Sequence, residues 1–94
     1  MKQRGKRDRN HGEIRDALRT LGWTVIDTGS VGDGFPDLVA CRRGVVRFIE
    51  VKDGTLGPSR QRLTQAEQHV HARFLDAGVR VRILTSLDDA EALR

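Results

Sequence analysis

The sequence predicts an α/β fold: a mixed sheet flanked by helices, in the order α-β-β-β-α-β with a short helix to follow. Three observations lead there. Two stretches, 14–21 and 66–77, carry apolar residues at helical spacing. Three short runs rich in β-branched residues fall between them or beyond, and a fourth run alternates apolar and polar positions. Glycine-bearing turns separate these runs, too short for a helix to intervene until residue 64.

In chain order, residues 1–9 contain five basic side chains and almost nothing apolar, and read as a mobile arm. Asn10 opens the first helix, whose stripe is Ile14, Ala17, Leu18 and Leu21, and Gly22 stops it. Asn10-x-x-Glu13 has the form of a capping box. The first strand is Trp23–Thr28, with Trp23 assigned to the core. Three glycines between Gly29 and Gly34 make a permissive loop; with no Lys-Ser/Thr ending it is no nucleotide P-loop, and its glycines are expected to let a nucleic-acid backbone approach. Strands over 37–42 and 45–52 follow, joined at Arg43-Gly44. After a polar loop over 53–62, Thr64-x-x-Glu67 is a capping box opening a second helix that ends at Gly78, with Ala66, Val70, Phe74 and Ala77 toward the core. Val79–Leu84 alternates as a strand, and Leu87–Leu93 makes a terminal helical turn capped near Ser86. Residues 10–94 thus form one domain, in which roughly 60–65 % of the chain's surface is buried on folding.

Seventeen Lys and Arg against thirteen Asp and Glu give a net charge of +4. A basic surface concentrates polyanions, and Arg4, Lys6, Arg7, Arg9, Arg42, Arg43, Arg60 and Arg62 are the expected phosphate contacts. No apolar run approaches the roughly 20 residues of a membrane span, and no apolar stretch follows the basic start, as a secretory signal requires. The single cysteine, Cys41, excludes an intrachain disulfide and a multi-cysteine zinc site, and its apolar neighbours predict a buried thiol. A cytoplasmic location is expected. His69 and His71, at i and i+2, share no helix face and form no zinc pair. His11 reads as an exposed histidine without a role.

The chemistry concentrates in Gly34-Phe35-Pro36-Asp37 and Ile49-Glu50-Val51-Lys52. With a two-residue turn at Arg43-Gly44, Asp37 lies directly opposite Glu50, Cβ atoms about 4.5–5.5 Å apart. Lys52, two residues on, points to the same face. A three-residue turn would put the two carboxylates on opposite faces. Carboxylates so close repel unless one is protonated or a cation lies between them. Mg²⁺ takes one or two carboxylates plus water and substrate phosphate, and a lysine beside it can orient or deprotonate a water. The bland alternative is a surface ion pair between Glu50 and Lys52.

Taken in order, Gly34-Phe35-Pro36-Asp37, Phe48-Ile49-Glu50-Val51-Lys52 and Leu63-Thr64-x-x-Glu67 resemble the virus-type replication-repair nuclease family (VRR-NUC) of the PD-(D/E)XK nuclease superfamily. The likeness runs from about Glu13 to Leu84 and implies a restriction-endonuclease-like fold. It implies that Asp37, Glu50 and the Val51 carbonyl bind Mg²⁺ or Mn²⁺, that Glu13 reaches the metal through water, and that Lys52 assists the nucleophile. It also implies hydrolysis of DNA, branched forms such as four-way junctions included, by a homodimer acting in DNA repair, with a viral origin left open. The family often carries glutamine where Glu67 stands, with Gln68 beside it, so this position ranks below the side chains of Asp37, Glu50, Lys52 and Glu13. The alternative function is a non-catalytic, basic nucleic-acid-binding accessory domain.

Overall fold

The computed structural model describes residues 10–55, 57 and 62–94. Helix α1 is His11–Thr20, strands β1, β2 and β3 are Thr24–Asp27, Leu38–Arg42 and Val45–Val51, helix α2 is Gln65–Asp76, strand β4 is Arg82–Leu84, and helix α3 is Leu87–Ala92. The sheet order is β1-β2-β3-β4. The first two pairings are antiparallel and β3 pairs β4 in parallel, so the sheet is mixed. A parallel neighbour requires a crossover, and α2 supplies it. The restriction-endonuclease-like order α-β-β-β-α-β is therefore realised, with α3 at its end. No helix of the described residues is long and apolar enough to cross a membrane.

The register depends on the turn. Arg43 and Gly44 both take positive φ, 52° and 81°, the signature of the two-residue turn whose twist suits a hairpin. Arg42 pairs Val45 and Leu38 pairs Ile49, so the next position sets Asp37 against Glu50, as the two-residue reading requires.

Period-two alternation then sorts the strands onto two faces. Val25, Leu38, Ala40, Ile49, Val51 and Leu84 point one way and close on Ile14 and Leu18 of α1 and on Ala90 and Leu93 at the α3 end. Trp23 joins this core as expected, and its indole is capped by the Arg42 guanidinium, 4.3 Å from the ring centroid. The opposite face carries Ile26, Val39, Cys41, Phe48 and Glu50, and α2 lies over part of it.

Several expectations change here. Strand β4 starts at Arg82, not Val79, because α2 ends in a Schellman motif. The Val79 amide bonds the Phe74 carbonyl and the Gly78 amide bonds that of Leu75, with Gly78 at φ 87°, so Val79 belongs to the helix end. Trp23 serves α1 in the same way, through its bond to the Leu18 carbonyl, which delays β1 to Thr24. The capping box at Asn10 does not form: its side chain makes no cap bond, and instead donates to the carbonyls of Lys52 and Thr85 at 3.0 and 3.1 Å. It ties the start of α1 to the ends of β3 and β4. His11 is buried, not exposed, with Nε2 3.0 Å from Asp27 Oδ2. Cys41 is half-buried, not enclosed, because it faces the α2 side where the helix does not reach. The proposed core stripe of α2 is shallow: none of that helix's residues is buried. Val70 and Phe74 are half-covered while Ala66 and Ala77 are exposed.

Candidate active site

On the α2 face, three elements, β2, β3 and α2, bring Asp37, Glu50, Lys52, Glu67 and His71 together. Strand β3 supplies Glu50, and Lys52, just past its end, extends on the same side. Asp37 immediately precedes β2, where Thr28 fixes the entry of the chain: its amide donates to the Asp37 carbonyl at 2.8 Å and its hydroxyl to that of Pro36 at 2.7 Å. The Asp37 carboxylate then accepts the Val51 amide at 2.9 Å. Sequence spacing does not reveal that last bond, which fixes the orientation of the carboxylate toward β3.

Gly34 lets the preceding loop meet α2. A Cβ there would lie 2.3 Å from the Ala66 carbonyl oxygen, and its φ is 86°. The space left by this missing side chain is filled by the helix backbone. At Gly32, in the same loop, nothing lies within 4 Å of where a Cβ would stand. Helix α2 then begins with the expected capping box, Thr64 with Glu67.

Glu67 does more than cap. Its Oε1 accepts both the Thr64 amide and Lys52 Nζ, each at 2.9 Å. Burial pushes its carboxyl up, but the bonds from Thr64 and Lys52 and the contact with Glu50 outweigh that and hold it below the usual range. One turn along, His71 Nε2 lies 3.1 Å from Glu50 Oε1. Glu50 is only 1 % exposed. Burial first, and then the carboxyl of Asp37 beside it, push Glu50 up to about 10. Burial likewise lowers His71. The contact between them in the metal-free protein is therefore a hydrogen bond between neutral groups, not an ion pair.

Of the expected site residues, the structure thus gathers Asp37, Glu50, Val51, Lys52 and Glu67. Gln68 is exposed and donates to the Leu63 carbonyl at 3.1 Å, so Glu67 is the helix residue that enters the site. Glu13 is exposed and lines a cavity of about 330 Å³ with Asn10, Asp53, Thr55 and Thr85. No hydrogen bond or ion pair joins it to Asp37 or Glu50. Arg42 is engaged within the fold, donating to the Leu21 carbonyl at 2.9 Å while it covers Trp23. Arg43 and Arg62 are exposed. Arg4, Lys6, Arg7, Arg9 and Arg60 lie outside the described residues. His71 escaped the sequence reading. Its signal was Glu67-x-x-x-His71, two residues on one helix face opposite Glu50-x-Lys52 on a strand.

Among the described residues, no group of three or more His, Cys, Asp or Glu is arranged to hold a metal ion. Glu67 and His71 are taken up by Lys52 and Glu50, which leaves two carboxylates for a cation. That pair fits Mg²⁺, which is commonly held by one or two carboxylates with water and phosphate completing its shell. A buried carboxyl pushed up to about 10, whose ionised form an arriving positive charge would favour, is the matching donor.

No protein-family model matches the sequence, and no curated protein matches it. A solved structure titled "VRR_NUC domain" does: it is 27 % identical, superposes with a TM-score of 0.66, and the match covers 89 % of this chain and 92 % of that one. The chain is a VRR-NUC-like domain, with the nuclease-type fold that this neighbour carries.

Proposed function

We propose that the protein is a metal-dependent DNA endonuclease. The observation that carries the reading is the pair of facing carboxylates, Asp37 and Glu50, the second of them 1 % exposed and pushed up by its burial first and by Asp37 second. So costly an arrangement has a use where a divalent cation replaces the proton. Asp37, Glu50 and the Val51 carbonyl would hold Mg²⁺ or Mn²⁺, which when bound polarises the phosphate and acidifies water.

The chain's own residues do the remaining work. The Val51 amide keeps the Asp37 carboxylate aimed at β3. Lys52, paired with the Glu67 carboxylate, presents an ammonium that donates to the attacking water or to a phosphate oxygen. Water's oxygen would bond to phosphorus and give up a proton to solvent as the P–O bond to the leaving sugar breaks, and the leaving oxygen would take up a proton from solvent in return. The net charge of +4 supports a polyanionic substrate. Branched DNA gripped by a homodimer is the form we favour, since so small a domain offers one copy little contact surface. Ile26 and Val46, 57 % and 48 % exposed on the site's side of the sheet, leave apolar surface for such pairing.

Incubation with linear, flapped and four-way DNA, with and without Mg²⁺ or Mn²⁺, tests the reading. Cleavage only with metal, and most on the branched forms, is expected. Binding without cleavage under every condition would instead make the protein an accessory binding domain.

A further inference from the structure

Helix α2 grips both chemical residues of β3. Glu67 holds Lys52 at 2.9 Å and His71 holds Glu50 at 3.1 Å. The spacing explains how. Two residues of a strand advance about 6.7 Å and four residues of a helix about 6 Å, so an i, i+4 pair on a helix running antiparallel to the strand meets an i, i+2 pair on it. We propose that His71 is a positioning residue that sets the orientation of the Glu50 carboxyl for metal binding. The proposal rests on the metal-dependent reading above.

Three observations support it. The terminal torsion of a glutamate side chain has a broad profile, so nothing within Glu50 itself fixes the plane of its carboxyl. The His71 contact engages one of its oxygens, and Glu50 itself is only 1 % exposed. The ring is not there as apolar filler either: its side chain is 14 % exposed, and the apolar contact of α2 is made by Phe74 against Phe35 and Phe48, at ring separations of 6.1 and 5.1 Å. His69, on the outer side of the same helix, is exposed and serves as an internal control. Partners of this kind, behind the metal ligand, typically contribute 10–100-fold to metal affinity or activity.

The test is calorimetric titration of Mn²⁺ into the full chain and its variants, with thermal melting, DNA affinity in metal-free buffer and the kcat and KM of cleavage. His71→Phe fills the space without a polar atom and should weaken Mn²⁺ binding about 10–100-fold, lowering kcat with little change in KM for DNA. Metal-free DNA binding should not move. His71→Gln can reach Glu50 with an amide and should recover Mn²⁺ affinity to within about threefold of the parent, less than the loss expected of a missing partner. If His71→Phe fails to fold, His71→Asn, too short to reach Glu50, takes its place with the same expectation. Parent-like Mn²⁺ affinity in His71→Phe or His71→Asn overturns the role of His71 alone, as does equal weakening in His71→Gln. A parent protein that takes up no Mn²⁺ at a defined site overturns the metal-dependent reading and this proposal with it.

Discussion

On the α1 and α3 side of the sheet, Leu38, Ala40, Ile49 and Val51 are closed off by apolar side chains from two helices. On the other side, the same two strands present Asp37, Val39, Phe48 and Glu50 to a helix that buries none of its residues. Neighbours in the chain therefore live in different media: Leu38 beside Asp37, Ile49 beside Glu50. The first face gains stability from water-free packing. The second cannot be finished that way, because each charged or polar group taken from water needs a partner. Its partners are specific: Val51 for Asp37, His71 for Glu50, Glu67 for Lys52. One face carries stability and the other the proposed chemistry, and substitutions one residue apart should separate the two.

The largest separation is expected in cleavage. Asp37→Asn and Glu50→Gln should abolish it while DNA binding persists or strengthens, since less negative charge faces the phosphates. Asparagine can still accept the Val51 amide, so thermal melting should show no loss. Lys52→Ala should slow cleavage on the order of 10²–10⁴-fold. If Asp37→Asn cuts at the parent rate, Asp37 is no part of the chemistry.

Leu38→Ala should do the opposite. Truncating a fully buried leucine costs about 2–5 kcal/mol, read by urea denaturation, yet the folded fraction should cleave within a few-fold of the parent. A Leu38→Ala variant that stays stable but loses activity would show that the faces are not independent.

The metal-free protein should also lose stability as pH rises. Folded Glu50 keeps its proton up to about 10, whereas unfolded it releases it near 4.5. Between those values the folded state binds more protons, so its stability falls with pH. His71, lowered by burial, pulls the other way, but its contribution is complete once pH passes the ordinary 6.5 of the unfolded chain. Melting from pH 7 to 9.5 isolates Glu50, and the slope should be absent in Glu50→Gln. A parent with no slope would mean that Glu50 is already ionised.

The smallest effect concerns two adjacent arginines. Arg43→Asn removes an exposed charge while suiting a turn position with positive φ. If Arg43 touches phosphate, the salt dependence of DNA binding should flatten by about 0.9 in log–log slope. Arg42→Ala should leave the slope and lower stability instead, since Arg42 braces Trp23 and Leu21. Equal slopes for parent and both variants would assign the contacts to other basic residues.

Local rules determined much of this molecule by sequence alone. Arg43-Gly44 narrowed the register to a two- or a three-residue turn, and the two-residue turn sets Asp37 against Glu50 with Lys52 on their side by alternation. These are consequences of neighbours a few residues apart, and they hold whatever packs above. The start of α2 was equally local, because Thr64 and Glu67 cap each other. Only the tertiary structure decided the rest. Whether Glu50 is buried, which helix residue meets it and where Glu13 points depend on how α1 and α2 dock across the sheet, between residues such as Asn10 and Thr85 that are 75 positions apart. Periodicity gives a helix's apolar side but not its rotation and height above a strand. Those are set by the match of rise between α2 and β3, by the missing side chain at Gly34, and by the need of each buried polar group for a partner.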